Sequence, residues 1–181
     1  MESMAAHSDA DRTICLTGPE STGKTTLARA LASRLGATLV PEIAREYLGR
    51  EPLDQRRDLL EIARRQVALE RETRAGHAGL LICDTDLLVI QIWWREKFGP
   101  LPTYLVQELS KRSARGYLLL EPDISWQADP LRENPTDRDR LFELYRAELE
   151  ASGFPHRIVG GLGEARVERA IEQLQSLCKE V

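Results

Sequence analysis

Gly18-Pro19-Glu20-Ser21-Thr22-Gly23-Lys24-Thr25 is the stretch on which the fold turns. It satisfies G-x-x-x-x-G-K-[ST] and lies between Thr13–Thr17, which reads as a buried strand, and a segment whose Leu27, Leu31 and Leu35 share one helical face up to Gly36. Gly18 and Gly23 let the backbone turn without Cβ clashes, so consecutive N–H groups and the helix N-terminus can converge on nucleotide phosphates. Ser21, Thr22 and Thr26 complete the expected nucleotide-binding set with Gly18, Gly23, Lys24 and Thr25; Lys24 should reach the β and γ phosphates and the Thr25 hydroxyl should ligate Mg²⁺. A chance glycine turn before a helix is the alternative, disfavoured because motif and context agree. A Glu20 carboxylate facing the γ phosphate would be repelled, so it is expected to point out of the cradle or towards metal or acceptor.

Outward from this loop, short apolar runs alternate with segments of helical period. Residues 37–40 read as a second strand ended by Pro41, 43–48 as a short helix, about 54–75 as a longer one and 80–83 as a third strand. Helices over 87–98 and 103–111 flank the breaker Gly99-Pro100-Leu101-Pro102, and 117–120 reads as a fourth strand. Glu121 to Thr136, with Pro122, Pro130 and Pro135 among charges, reads as a mobile loop. A helix over about 137–152, a fifth strand over 156–159 and an amphipathic helix carrying Val167, Ala170, Ile171, Leu174 and Leu177 close the chain. Strands separated by helices imply βαβ crossovers, hence a three-layer α/β sandwich with a five-stranded, mostly parallel sheet, helices on both faces and a lid after strand 4. Residues 1–11 are expected to be a flexible tail and 12–181 one domain.

Composition agrees with one soluble globular unit. Of 181 residues, 42% are hydrophobic and 30% charged, enough to bury a core. Twenty-five basic against 29 acidic residues give a net charge of −4, so no global positive field draws in nucleic acid or an anionic membrane. Apolar runs such as Leu87 to Ile90 are far shorter than a bilayer span, and Met1 to Asp11 has no signal-peptide core, so a cytoplasmic protein is expected. Cys15, Cys83 and Cys178 fit neither a disulfide framework nor a zinc pattern and read as small buried hydrophobes.

Ligands in parallel sheets bind beyond the strand carboxyl ends, which directs attention to the residues there. Leu80-Leu81-Ile82-Cys83-Asp84 ends an apolar run in a carboxylate, the pattern of a Walker-B Asp that supports Mg²⁺; the alternative is a helix N-cap, a role for which Asp86 is better placed. Thr85 stands where many motor ATPases carry a water-activating Glu, and no Asn-Lys-x-Asp guanine signature occurs. Transfer of a γ-phosphoryl to a small acceptor under a closing lid fits better than hydrolysis. Glu42 leaves the second strand facing the cleft, where it can accept a hydroxyl proton, and Arg45, one turn on, can reach phosphate; an exposed helix-start carboxylate is the bland reading of Glu42. Arg132, Arg138 and Arg140 in and beside the lid are candidates to neutralise the transferring group, against a solvated mixed-charge helix start with Glu133, Asp137 and Asp139. A flat heterocycle could stack on Trp93, Trp94, Tyr104, Tyr47 or Trp126, and a cationic ring would gain cation–π attraction; core packing is the alternative for each.

Gly18 to Thr25, Pro41-Glu42-Ile43-Ala44-Arg45-Glu46-Tyr47, Asp84-Thr85-Asp86 with Gln91, and Trp126 through Asp129 with Leu131 and Arg132 resemble, in order and spacing, the ribosylnicotinamide kinase domain of NadR-type NAD salvage proteins. The likeness covers about residues 14 to 159 and implies a P-loop kinase-like fold that uses ATP and Mg²⁺ to phosphorylate the 5′-hydroxyl of nicotinamide riboside, giving nicotinamide mononucleotide. It implies that Asp84, Asp86 and Glu42 handle acceptor and metal, with either Glu42 or Asp84 as base. On the same reading Arg132 belongs to the lid and an aromatic residue stacks on the nicotinamide, with Trp93 and Trp126 expected among the substrate-binding residues beside Glu42, Arg45 and Asp86. Apart from the resemblance, adenine contacts are expected near Gly161 to Gly163. NadR-type proteins also carry an adenylyltransferase domain with a His-x-Gly-His-type site before the kinase; here tail residues precede the loop, and His7, His77 and His156 are isolated. A kinase of another nucleoside or small hydroxylated metabolite, and a non-kinase regulatory ATPase, are the rival readings. A nucleic-acid-coupled ATPase is disfavoured by the acidic balance.

Overall fold

The run before the glycine loop, Thr13–Thr17, forms β1, and all five residues are buried because strands pair on both sides and helices cover both faces. The computed structural model describes residues 12–48, 55–112, 114–127 and 136–181. After β1 come α1 (Lys24–Leu35), β2 (Thr38–Val40), α2 (Ile43–Leu48), α3 (Gln55–Gly76), β3 (Leu81–Asp84) and α4 (Leu87–Phe98). Then follow α5 (Thr103–Ser110), β4 (Arg115–Leu120), α6 (Arg138–Ser152), β5 (His156–Val159) and α7 (Gly163–Leu177). The five strands form one sheet in the order β2-β3-β1-β4-β5, and every pairing is parallel. The expected tail and residues 128–135 of the expected lid lie outside the described residues.

Alternation of side chains along each strand divides the core. Ile14 and Leu16 of β1, Ile82 of β3 and Leu118 and Leu120 of β4 face α1 and α7, meeting Leu27, Ala28, Leu31, Ala170 and Leu174. Cys15, Cys83, Tyr117 and Leu119 project the other way, onto Leu88, Val89 and Ile92 of α4 and Tyr145 and Leu149 of α6. A third cluster packs α3 and α5 against α4 through Ile62, Ala63, Ile90, Trp94 and Leu105. Leu31, fully buried, illustrates the energetics: truncation to alanine there would cost about 2–5 kcal/mol. α1 stops at Gly36, whose φ of +61° is the left-handed cap and whose N–H donates to the Ala32 carbonyl.

β4 starts at Arg115, earlier than the apolar run at Tyr117 suggests. Arg115 and Gly116 carry no hydrophobic signal, yet both pair with β1, opposite Thr13 and Ile14. A Cβ at Gly116 would stand 3.2 Å from Ile14 Cδ1 and from Val181 Cγ2, so a larger residue there would press those side chains aside by a few tenths of an ångström. Cys15 and Cys83 are buried and registered across β1 and β3, as small hydrophobes. Among the described residues, no helix is long and apolar enough to cross a membrane.

Candidate active site

β1 runs directly into the loop, and its geometry explains the two glycines. Gly18 has φ +131°, and a Cβ there would lie 2.8 Å from the Leu120 carbonyl oxygen, so any side chain would push β4 away. Gly23, at φ +76°, is the N-cap residue of α1 and turns the chain into the helix whose positive end faces the loop. Ser21 is left-handed without being glycine (φ +57°), the kind of strain that persists where surroundings fix it. Here Thr22 Oγ1 donates to the Pro19 carbonyl at 2.9 Å, and Ser21 Oγ accepts from the Gln127 N–H at 3.0 Å. Lys24 Nζ folds back over the loop, donating to the carbonyls of Gly18 (2.9 Å) and Pro19 (2.7 Å).

Arg166, at the first turn of α7 and 4% exposed, locks this loop to two strand ends. Its Nη1 donates to the Thr22 carbonyl at 2.8 Å, and its Nη2 to the carbonyls of Val159 (3.3 Å) and Glu121 (3.4 Å). Burial pulls its pKa below the usual arginine value, opposed by Asp123 and Glu121.

A cleft of ≈ 740 Å³ runs from this cradle across the strand ends. Gly18 and Ser21 to Thr26 line one part of it; Glu42 at the end of β2, Val89 and Trp93 on α4, and Tyr145 on α6 line another. Burial pushes the Tyr145 phenol well up, and Glu20, Glu42 and Asp86 push it further, while a hydrogen bond from Trp93 works the other way. Two carboxylates, Glu20 and Glu42, thus line the same cleft as two aromatic side chains, Trp93 and Tyr145. The lid's first residues lean onto the cradle: Arg138 Nη1 donates to the carbonyls of Ile124 (2.8 Å) and Ser21 (3.3 Å), and its guanidinium lies 5.8 Å from the Trp126 ring centre.

With this geometry in place, sequence comparison is decisive for family. The model of the family described as AAA domain matches residues 13–166. The chain belongs to this AAA-domain family. No curated protein matches it significantly. Among solved structures, a NadR protein in complex with NR matches with TM-score 0.75 and 23% identity, over 93% of this chain and 52% of that one. Thymidylate kinase from Ehrlichia chaffeensis matches at 0.60 and 15% over 91% and 98%, and deoxyadenosine kinase from M. mycoides with bound dCTP at 0.61 and 16% over 91% and 99%. These likenesses establish a fold shared with NadR and with P-loop nucleoside kinases. The chain spans about half the length of the NadR chain it matches.

Within this AAA-domain fold the residues expected at the site divide. Gly18, Ser21, Thr22, Gly23, Lys24, Thr25, Thr26, Glu42 and Trp93 all line the cleft. Asp84 ends β3 at 2% exposure, on the same sheet face as Ile82 and α1 and paired in register with Leu16, so it stands under the cradle rather than in the cleft wall. Its oxygens and the Thr25 hydroxyl are hard donors suited to Mg²⁺, an ion that keeps several waters and takes further oxygens from phosphates.

Two expected substrate contacts are placed elsewhere. Asp86 is 1% exposed and caps α4, accepting from Leu88 N–H at 3.0 Å, from Arg115 at 2.9 Å and from the Tyr117 hydroxyl at 2.7 Å; a carboxylate so engaged is turned to the interior and does not line the cleft. Trp126 packs under Arg138 and is not part of the cleft wall. Trp94, Tyr104 and Tyr47 are structural: Trp94 donates to the Pro100 carbonyl at 2.9 Å, Tyr104 sits under Arg64, and Tyr47 bonds Asp58 at 3.2 Å. Arg140 pairs on the surface with Glu96 and Asp137. Arg132 and the Arg45 side chain lie outside what the structure describes. At the expected adenine edge, Gly161 N–H donates to Asp123 and Gly163 lines the cleft.

Tyr145 and Arg166 were missed in the sequence. Each carried a signal, because Tyr145 sits on the Leu141–Leu149 stripe and Arg166 heads the stripe 166-170-174-177; a polar group on a buried stripe is informative.

Proposed function

We propose that the chain is an ATP- and Mg²⁺-dependent kinase that transfers the γ-phosphoryl of ATP to the 5′-hydroxyl of nicotinamide riboside, giving nicotinamide mononucleotide and ADP. The observation that carries this reading is a single cleft lined by the phosphate cradle, by the carboxylates Glu20 and Glu42 and by the aromatic side chains Trp93 and Tyr145. The nicotinamide ring of the riboside is a pyridinium, and two carboxylates with two aromatic faces favour a flat cation over a neutral base.

In this assignment the amides of Ser21 to Thr25 and the Lys24 ammonium hold the β and γ phosphates, and Lys24 exchanges its loop carbonyls for the developing charge. Thr25 and Asp84 would hold Mg²⁺, which neutralises phosphate charge when bound. Glu42 is the base, because it lines the cleft while Asp84 is buried beneath the loop. As O5′ bonds to the γ phosphorus and the bond to the ADP oxygen breaks, the hydroxyl proton passes to Glu42. Arg138 ties the start of α6 to Ser21, and Arg132 is assigned the neutralisation of charge on the transferring phosphoryl.

Incubation with ATP, Mg²⁺ and a panel of nicotinamide riboside, adenosine, cytidine and thymidine, with products resolved by mass, tests the reading. Nicotinamide mononucleotide and acceptor-dependent ADP are expected. Turnover of a neutral nucleoside in its place would transfer the chain to the thymidylate- and deoxyadenosine-kinase side of the fold, and ADP release indifferent to any acceptor would make it a regulatory ATPase.

A further inference from the structure

β1 and β4 begin side by side, Thr13 in register with Arg115, at the end of the sheet remote from the phosphate cradle. There a second cavity of ≈ 500 Å³ opens between α3, the end of α5 and the start of β4, within the usual size of small-molecule sites. Its wall carries Arg71, Arg74, Lys111, Arg112 and Arg115 against two carboxylates, Glu70 and Glu108. Five cations gathered in one hollow of a chain whose net charge is −4 concentrate positive potential where concave, low-dielectric walls focus it.

The carboxylates there are shared. Glu108 serves both Arg71 (2.5 Å) and Lys111 (2.8 Å), and Asp86, behind the wall, serves both Arg115 (2.9 Å) and Arg112 (3.4 Å). The side chain of Arg115 is only 8% exposed. Its Nη1 faces Asp86 and its Nη2 meets Glu70 at 2.6 Å, but its Nε is buried with no hydrogen-bond partner among the described residues. Nε and Nη2 form one edge of a guanidinium, spaced for two oxygens of one anion, and here a single Glu70 oxygen holds only half of that edge. Glu70, 20% exposed, borders the cavity and has water to move into.

We propose that this cavity binds a small phosphate-bearing anion. Two phosphate oxygens take the Nε–Nη2 edge of Arg115 as Glu70 swings out, and Arg71 and Lys111, each 59% exposed, close on the remaining oxygens. A phosphate suits the site better than a carboxylate because its additional oxygens and second charge match cations converging from α3, α5 and β4. A nucleic-acid backbone is a poorer match, since the cations line a hollow and not an exposed ridge. The same Arg115 holds Asp86, the cap of α4 two residues beyond Asp84, so one carboxylate joins this cavity to the ATP-side cleft. The site does not depend on which acceptor the cleft takes.

The test must separate this cavity from the phosphate cradle, so it reads Arg115 directly. The assigned Arg115 Nε–Hε resonance of the full chain is followed by ¹H–¹⁵N correlation during titration with inorganic phosphate, pyrophosphate and AMP. A saturable shift is expected, with a midpoint raised at least about tenfold in the Arg71→Gln, Lys111→Gln double variant, whose replaced groups are surface-exposed, and lowered in Glu70→Gln, which frees the guanidinium edge. The tightest of the three probes identifies free phosphate or an ester as the ligand. No saturable shift, or a midpoint indifferent to the double variant, overturns the proposal.

Discussion

Glu42 and Asp84 both stand at strand ends, yet their surroundings separate their roles. Glu42 lines the cleft and Asp84 is 2% exposed beneath the loop, so removal of charge at the two positions should read out differently. Glu42→Gln keeps size and polarity and removes the proton acceptor; kcat should fall by about 10²–10⁴ while KM for ATP stays within a factor of about two. Steady-state rates at saturating acceptor check this, and an unchanged kcat would strip Glu42 of the role. Asp86 carries a second residue-scale prediction. Burial alone would raise its pKa, but Arg112, Arg115 and the Tyr117 hydroxyl outweigh burial and hold it below the ordinary carboxylate value. A carboxyl with a depressed folded pKa stabilises fully above its unfolded pKa of about 3.9 and loses that contribution as pH falls through the folded value. Asp86→Asn should therefore cost about 3–5 kcal/mol at neutral pH, because it leaves two buried guanidiniums without their anion. Urea unfolding of both proteins between pH 7 and 3 should show the gap narrowing only in the acid limb; a constant gap would mean that packing, and not charge, is what the substitution removes.

At the scale of elements, α7 does more than cover the sheet. Arg166, Ala170, Leu174 and Leu177 form its buried stripe, and the first of these reaches past the helix start to carbonyls on the loop, β4 and β5. Arg166→Met preserves the aliphatic stem and removes the donors, leaving the loop held by its own turn and Lys24. A loss of about 1–3 kcal/mol in stability and a rise in KM for ATP are expected together, with Arg166→Lys recovering only part because ammonium cannot span three carbonyls in a plane. Loss of stability with unaltered KM would confine Arg166 to structural support. This contact also shows why part of the site was illegible. The cradle could be read because its chemistry is backbone chemistry written in consecutive residues, and Glu42 because it ends a short strand at a proline. Tyr145 and Arg166 come from helices whose sequence encodes only their buried stripe, and which strand ends those stripes meet is decided by the sheet order. The position of Asp86 is hard to read for the opposite reason. Two residues from Asp84 on one chain, it is turned by Thr85, at φ +72°, into the interior, where Arg112 and Arg115 arrive from elements distant in sequence.

For the whole molecule, the order β2-β3-β1-β4-β5 puts β1 at the centre, with its first crossover leaving to one side and β4 lying on the other. The cradle thus forms where the two halves of the sheet diverge, and its walls belong to β1, β4, β5 and α7 at once. A ligand that binds there ties together elements that must separate on unfolding, so nucleotide binding should raise the temperature of global unfolding and not merely order a loop. At ADP concentrations about 100-fold above Kd the native state gains about 2.7 kcal/mol. Gly18→Ala isolates the cradle's share. Its new methyl would lie 2.8 Å from the Leu120 carbonyl oxygen, so the loop and β4 must part to accommodate it, while α1, α4, α6 and α7 keep their own contacts with the rest of the sheet. Calorimetry should then find a protein that still unfolds cooperatively but whose transition no longer moves with ADP. A variant that keeps the full ligand-induced shift would show that the phosphates rest somewhere other than the loop between β1 and α1.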